Sequence, residues 1–168
     1  MRAPYAQSPH VQPVDEIIDI RRYPLADPGS HGWVLYYAGS IQKWSLYSSH
    51  TTTAANALSA AITSNSGLGQ NTWTHIVGVV NAGVPSLYIN GASAAASTTN
   101  AVGTYVSSLS NAAIGDSPDF TSGAGLWSGL IDEVRISNTA RSAAWITTEY
   151  NNQGTPSSFV TVGGQESQ

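Results

Sequence analysis

Apolar and polar residues alternate in short runs along this chain, and Gly, Pro, Asn, Asp and Ser separate the runs. A period of two is the mark of a half-buried strand. Glu16-Ile-Ile-Asp-Ile20 is apolar and β-branched and reads as the first clear strand. Gly32-Trp-Val-Leu-Tyr-Tyr37 and Lys43-Trp-Ser-Leu-Tyr47 read as a strand pair around Ala38-Gly-Ser40. In the second of these, Trp44, Leu46 and Ser48 share one face, and Ser45 and Tyr47 share the other. Residues 51–66 mix helix-favouring alanines with Thr-rich and Ser/Asn flanks and are assigned to strand. Thr74 to Val80 is a strong strand, and Pro85 to Gly91 is another, closed by the hairpin signal Asn90-Gly91. Ser107–Gly115 and Gly129–Ile136 supply two more. Ala140, Ala143, Ala144, Ile146 and Tyr150 then recur at helical spacing, so Thr139 to Tyr150 is predicted as a short amphipathic helix with Asn138 or Thr139 as N-cap. Ser158-Phe-Val-Thr-Val162 reads as a final strand.

Short strands with turn signals at intervals of roughly 8–12 residues predict a sandwich or jelly roll. The fold class is therefore all-β: a two-sheet antiparallel jelly-roll sandwich with one short C-terminal helix. Pro4, Pro9 and Pro13 lack the backbone donor, so residues 1–14 are expected to form an extended arm and not a central strand. The domain proper runs over residues 15–164, and residues 165–168 are a polar tail. No internal repeat and no shift in composition divides the chain further.

Composition narrows the function classes. A chain of 168 residues buries roughly 70% of its unfolded surface and needs no disulfide or metal for stability. It has no cysteine, which removes thiolate catalysis and thiolate metal sites. The net charge is -4, with six Lys and Arg. So few basic residues argue against nucleic acid as a partner, and against an anionic membrane surface. No apolar run is long enough for a membrane span. Residues 1–7 lack the apolar core of an intact signal peptide. The excess of Ser, Thr, Ala, Asn and Gly over charged residues suggests an extracellular or cell-surface protein.

Four motifs in order carry a family resemblance. They are Trp73 with His75, Tyr88 with Asn90-Gly91, Ile114-Gly115, and Gly129 with Ile131-Asp-Glu-Val-Arg-Ile136, followed by the helical segment from Arg141 to Tyr150. Together, over about residues 32 to 164, they resemble the laminin-G-like, concanavalin A-like jelly-roll domains of bacterial surface proteins. The family's opening strands, with an Asp-rich turn and a Ser-x-Trp-Val strand, have no evident counterpart in residues 1–31. A jelly roll lacking strands exposes edges, and exposed edges recruit other chains. Self-association through unpaired edges is one partner class that follows.

Related jelly rolls include glycoside hydrolases with Glu-x-Asp-x-Glu patterns on one strand. Here Glu16 and Asp19 are three apart, so regular alternation sends them to opposite faces. A bulge could reunite them, but Arg21 and Arg22 follow where a third carboxylate is needed. Asp132 and Glu133 are adjacent and also diverge. The resemblance instead puts Asp132 near a calcium site on the sandwich rim, and Asp116 and Asp119 lie in a loop able to add oxygens; calcium is the one cofactor implied. The alternative is ordinary turn-capping by Asp. The four histidines lack metal-like spacing, and His75 is expected to be packed and hydrogen-bonded.

Trp33, Tyr36, Tyr37, Trp44 and Tyr47 cluster between positions 33 and 47. Sugar rings stack their C–H faces on aromatic rings, and amides and hydroxyls satisfy their polar groups. Tyr36, Tyr37, Trp44 and Tyr47 are therefore the candidate ligand-binding residues. The competing reading is that the tryptophans fill the core. The resemblance implies a non-catalytic binding or adhesion module whose partner is a glycan or cell-surface polymer. The alternatives are a self-assembling surface or filament protein and a glycoside hydrolase or lyase.

Overall fold

A computed structural model of the chain describes residues 2–4, 15–19, 32–38, 42–50, 58–63, 72–97, 112–116, 126–159 and 163. Nine strands fall in these residues: β1 (Arg2–Pro4), β2 (Asp15–Asp19), β3 (Gly32–Ala38), β4 (Lys43–His50), β5 (Leu58–Thr63), β6 (Trp73–Asn81), β7 (Val84–Ile89), β8 (Ala92–Ala96) and β9 (Ala113–Ile114). Helices α1 (Ala143–Gly154) and α2 (Pro156–Phe159) follow. The strands form two antiparallel sheets, a four-stranded one ordered β1-β6-β7-β8 and a five-stranded one ordered β5-β4-β3-β2-β9. This is the two-sheet sandwich that the alternation predicts.

The core lies between the sheets. Leu35, Tyr37, Trp44 and Leu46 from β3 and β4 meet Ile76, Leu87 and Ile89 from β6 and β7. Tyr37 meets the edge of Trp44 with ring centroids 5.3 Å apart, and Trp44 lies 5.7 Å from Trp127. One close approach depends on a missing side chain: a Cβ on Gly78 would stand 2.9 Å from Leu46 Cδ1. Glycine at that rung lets the Leu46 side chain press on the backbone of the opposite sheet.

Two turns set the register of the four-stranded sheet. Between β6 and β7, Ala82 and Gly83 both take positive φ, 48° and 80°. Between β7 and β8, Asn90 and Gly91 do the same, at 51° and 77°. Two positive-φ residues match the twist of a hairpin, and Asn-Gly is the pair best suited to supply them. Asn90 reinforces its turn through the backbone and the side chain: its N–H donates to the His75 carbonyl at 2.8 Å, and its Oδ1 accepts from the His75 N–H at 3.0 Å.

Several elements differ from expectation. Gly129–Ile136 is not a ladder strand; only isolated bridge residues occur there. Glu133 sits at φ 51° with its N–H held by Asp132 Oδ1 at 2.9 Å, which breaks the extended backbone. The helix begins at Ala143, and its N-cap is Ser142, whose Oγ accepts from Trp145 N–H at 3.2 Å. Asn138 and Thr139 instead form a local turn in which Ser137 Oγ bonds Thr139. Ser158 and Phe159, expected to begin a final strand, lie in α2, which Pro156 opens. Proline suits a first helical position because that N–H has no intrahelical acceptor. The remainder of that strand, and most of the one expected at 107–115, lie outside the described residues. The N-terminal arm contributes β1, an edge strand paired with Trp73–His75 of β6.

Candidate functional site

The sheet-facing pattern of β3 and β4 decides which aromatic rings a ligand can reach. Tyr37 and Trp44 point into the core and are 1% and 0% exposed. Burial of that depth removes them from the candidate ligand-binding set. Tyr36 and Tyr47 are half-buried on the other face of the five-stranded sheet. The register pairs Val34 with Tyr47 and Tyr36 with Ser45, so the two tyrosines are diagonal neighbours on that face. Diagonal neighbours stand about 7–8 Å apart, within reach of large side chains. Between and beside them, Val34, Ala38 and Ser45 are buried. Tyr36 and Tyr47 are thus the partly exposed aromatic positions of a face that is otherwise buried at Val34, Ala38 and Ser45.

The adjacent strand changes the expected placement of the acidic pair. β2 pairs with β3 at Asp15↔Tyr37 and Glu16↔Tyr36, shifts register, and resumes at Ile18↔Leu35 and Asp19↔Val34. Cross-strand partners occupy the same face. One extra residue, Ile17, therefore puts the positions of Glu16 and Asp19 both on the face of Tyr36 and Tyr47. Regular alternation had separated them. The sequence offers no glycine at the bulge to signal it.

The second cluster lies around β6 and α1. His75 is 2% exposed, its ring 5.7 Å from that of Tyr150. Glu149 Oε2 stands 4.0 Å from His75 Nε2, and Glu149 Oε1 accepts from Arg135 Nη1. Arg135 Nη2 also donates to Glu133 Oε2 at 2.9 Å, and Gln153 Nε2 donates to the same oxygen at 2.8 Å. Thr147 Oγ1 donates to the Gly91 carbonyl at 2.7 Å. This network ties α1 to the motif segment and to the Asn90-Gly91 turn. Its members are already engaged with one another, which makes it a fastening and not an open site.

Two of the three expected metal residues, Asp116 and Asp132, lie among the described residues. Asp132 is exposed and its Oδ1 caps Glu133, and Asp116 is exposed at the turn after β9. Asp119 lies outside the described residues. Among the described residues, no three His, Asp or Glu side chains are grouped as a metal site. Among the same residues, no helix is long and apolar enough to cross a membrane.

The chain is similar to residues 221–444 of an S-layer domain-containing protein from Clostridium thermocellum, at 23% identity and a TM-score of 0.45. That similarity covers 87% of this chain and 66% of the other, so the chain spans just under two thirds of that protein's solved length. Among curated proteins no match is found. The family model described as the concanavalin A-like lectin/glucanases superfamily, in its laminin-G type, matches residues 12–147. That match begins upstream of the motif run, takes in β2 and ends inside α1. With most of its length matched and its strands arranged in two antiparallel sheets, the chain belongs to the concanavalin A-like lectin/glucanase superfamily.

Proposed function

We propose that this domain is a non-catalytic carbohydrate-binding module working outside the cell, and that its ligand face is the outer face of the five-stranded sheet. One observation supports the proposal: Tyr36 and Tyr47 are partly exposed and diagonal to one another on a face where Val34, Ala38 and Ser45 are buried. Tyrosine offers an apolar ring for the C–H face of a sugar and a hydroxyl for its rim. The bulge adds Glu16 and Asp19 to the same face by register. Carboxylates accept hydrogen bonds from sugar hydroxyls, so the set suits a neutral or amino sugar better than an acidic one.

The two carboxylates also bear on catalysis. A retaining glycosidase needs its carboxyl groups about 5–5.5 Å apart, across one scissile bond. Glu16 and Asp19 share a face, but Arg21 and Arg22 follow them where the related hydrolases carry a third acid. Binding without turnover is the reading the residues support better. Calcium is proposed only as a structural ion, through Asp132, Asp116 and Asp119.

A glycan array probed with the purified chain, in calcium and in a chelator, tests the reading. Retention on a subset of glycans, with no reducing ends released from the matching polysaccharide, is the expected result. No retention in either condition overturns it. Release of reducing ends would replace binding with hydrolysis.

A further inference from the structure

Asn90-Gly91 is the one Asn-Gly pair in the sequence. Glycine has no Cβ to shield its nitrogen, so such a pair can react with itself. The Gly91 nitrogen loses its proton to solvent and attacks Asn90 Cγ. A Gly91 N–Cγ bond forms, the Cγ–Nδ2 bond breaks, and Nδ2 takes a proton from water and leaves as ammonia. A water molecule then opens the cyclic imide at either carbonyl, giving aspartate or isoaspartate. Asn90 is exposed, so the water that both steps need can reach it.

The fold opposes ring closure through the backbone, the side chain and the helix. Asn90 takes φ 51°, and a non-glycine residue in that region has ψ of about +30 to +60°. The Gly91 nitrogen then lies across the Cα–C bond from the Asn90 Cβ. Ring closure needs both on one side, so the peptide between Asn90 and Gly91 has to swing over. Asn90 Oδ1 accepts from the His75 N–H at 3.0 Å, which ties the side chain to β6. Gly91 is buried beneath α1. Its carbonyl accepts from Thr147 Oγ1 at 2.7 Å, and a Cβ on it would stand 2.9 Å from Tyr150 Cδ1. While that hydroxyl and that ring stay in place, the peptide has no room to turn.

We propose that Asn90-Gly91 is a self-modification site gated by α1, converted to aspartate and isoaspartate only while α1 is lifted from the turn. α1 is the element placed to open before the sheets do. Ile146 is its one buried residue, whereas β6 and β7 carry Ile76, Leu87 and Ile89 of the core. Segments with few buried apolar contacts open at lower free energy than core strands. The conversion runs one way, because ammonia is lost to solvent. Isoaspartate routes the main chain through Cβ and Cγ and adds one backbone atom at the turn. That moves Gly91 off its seat against Thr147 and Tyr150, so α1 no longer docks as before. Either product also adds one negative charge to a chain at -4. The modified fraction therefore records how long α1 has spent open.

Incubation of the full chain in warm, mildly alkaline buffer tests the gate, with peptide mass spectrometry reading the amide-to-acid change at Asn90. The folded chain should convert at least about tenfold more slowly than the same chain in urea, since only its open fraction reacts. Thr147→Val and Tyr150→Ala should each speed conversion about fivefold or more, the factor that one lost hydrogen bond or packing contact supplies. Leu35→Val loosens the core from the other sheet and should keep the wild-type rate. Circular dichroism confirms that each variant folds. If the α1 variants do not, wild-type conversion in urea below the unfolding transition decides: it should rise in step with hydrogen exchange of the α1 amides. Equal rates in the folded and unfolded chains overturn the proposal. So do folded α1 variants that convert no faster than wild type, a Leu35→Val chain that speeds up as much as they do, or conversion that stays flat while α1 exchange rises.

Discussion

Glu149 stands between His75 and Arg135, with one carboxylate oxygen 4.0 Å from His75 Nε2 and the other accepting from Arg135 Nη1. Through this one side chain α1 is fastened both to β6 and to the segment that carries the Ile131–Ile136 motif. The helix has a single buried residue, Ile146, so apolar packing alone holds it weakly. Arg135 is more than half exposed, which limits what the ion pair contributes. A double-mutant cycle of Glu149→Gln and Arg135→Met, followed by urea denaturation, should give a coupling energy of about 0.5–1 kcal/mol. A coupling of zero would mean that α1 is held by Ile146, Thr147 and Tyr150 without the charge network.

Gly91 is required twice over. Its φ is 77°, and a Cβ on it would stand 2.9 Å from Tyr150 Cδ1. Gly91→Ala should therefore cost about 2–4 kcal/mol, combining the left-handed backbone with overpacking against the ring. Part of that loss should be recovered in a Tyr150→Ala background, where the ring is gone. Equal losses in both backgrounds would remove the packing half of the explanation.

Ala82 is the reverse case. It holds φ 48° in the β6–β7 turn without the side chain that favours it. Ala82→Asn, which makes this turn Asn-Gly like the next one, should raise stability by up to about 1 kcal/mol. Thermal unfolding reads the change, and a lower midpoint would contradict the turn assignment.

The helix start can be tested in the same way. Ser142→Ala should cost about 1 kcal/mol by removing the bond to the Trp145 N–H, whereas Thr139→Ala should stay within about 0.5 kcal/mol. The opposite order would move the cap back to the position that periodicity suggests.

How much of this was legible in the sequence depends on what each signal measures. Alternation located β3, β4, β6 and β7, and Asn90-Gly91 announced its turn, because side-chain period and left-handed φ are local properties. The β6–β7 turn was less visible, since Ala82 is not a residue that advertises positive φ. Periodicity saw alanines from Ala140 but not that Ser142 offers the better cap. The Ile131–Val134 pattern looked like a strand because its apolar residues do pack on the core, yet Asp132 captures the Glu133 N–H and the ladder fails there. The ligand face needed more than alternation. One glycine-free bulge at Ile17 moves Asp19 to the face of Glu16, and only the pairing with β3 reveals it. Alternation also puts Tyr36 and Tyr37 on opposite sides without saying which side is the core. The pairing of Tyr37 with Trp44 against Leu46, Ile76 and Leu87 supplies that answer.

Titration of the chain with the best glycan from the array, set against four variants, bears on the ligand face with least ambiguity. Tyr36→Ala and Tyr47→Ala should each weaken binding about tenfold or more, since a stacking ring contributes on the order of 1–2 kcal/mol, and each should cost less stability than the loss of a fully buried ring. Tyr37→Ala and Trp44→Ala should instead cost about 3–5 kcal/mol of stability, as buried aromatic residues do. Undiminished affinity in both the Tyr36 and Tyr47 variants would show that the glycan sits elsewhere and would contradict the assignment of this face.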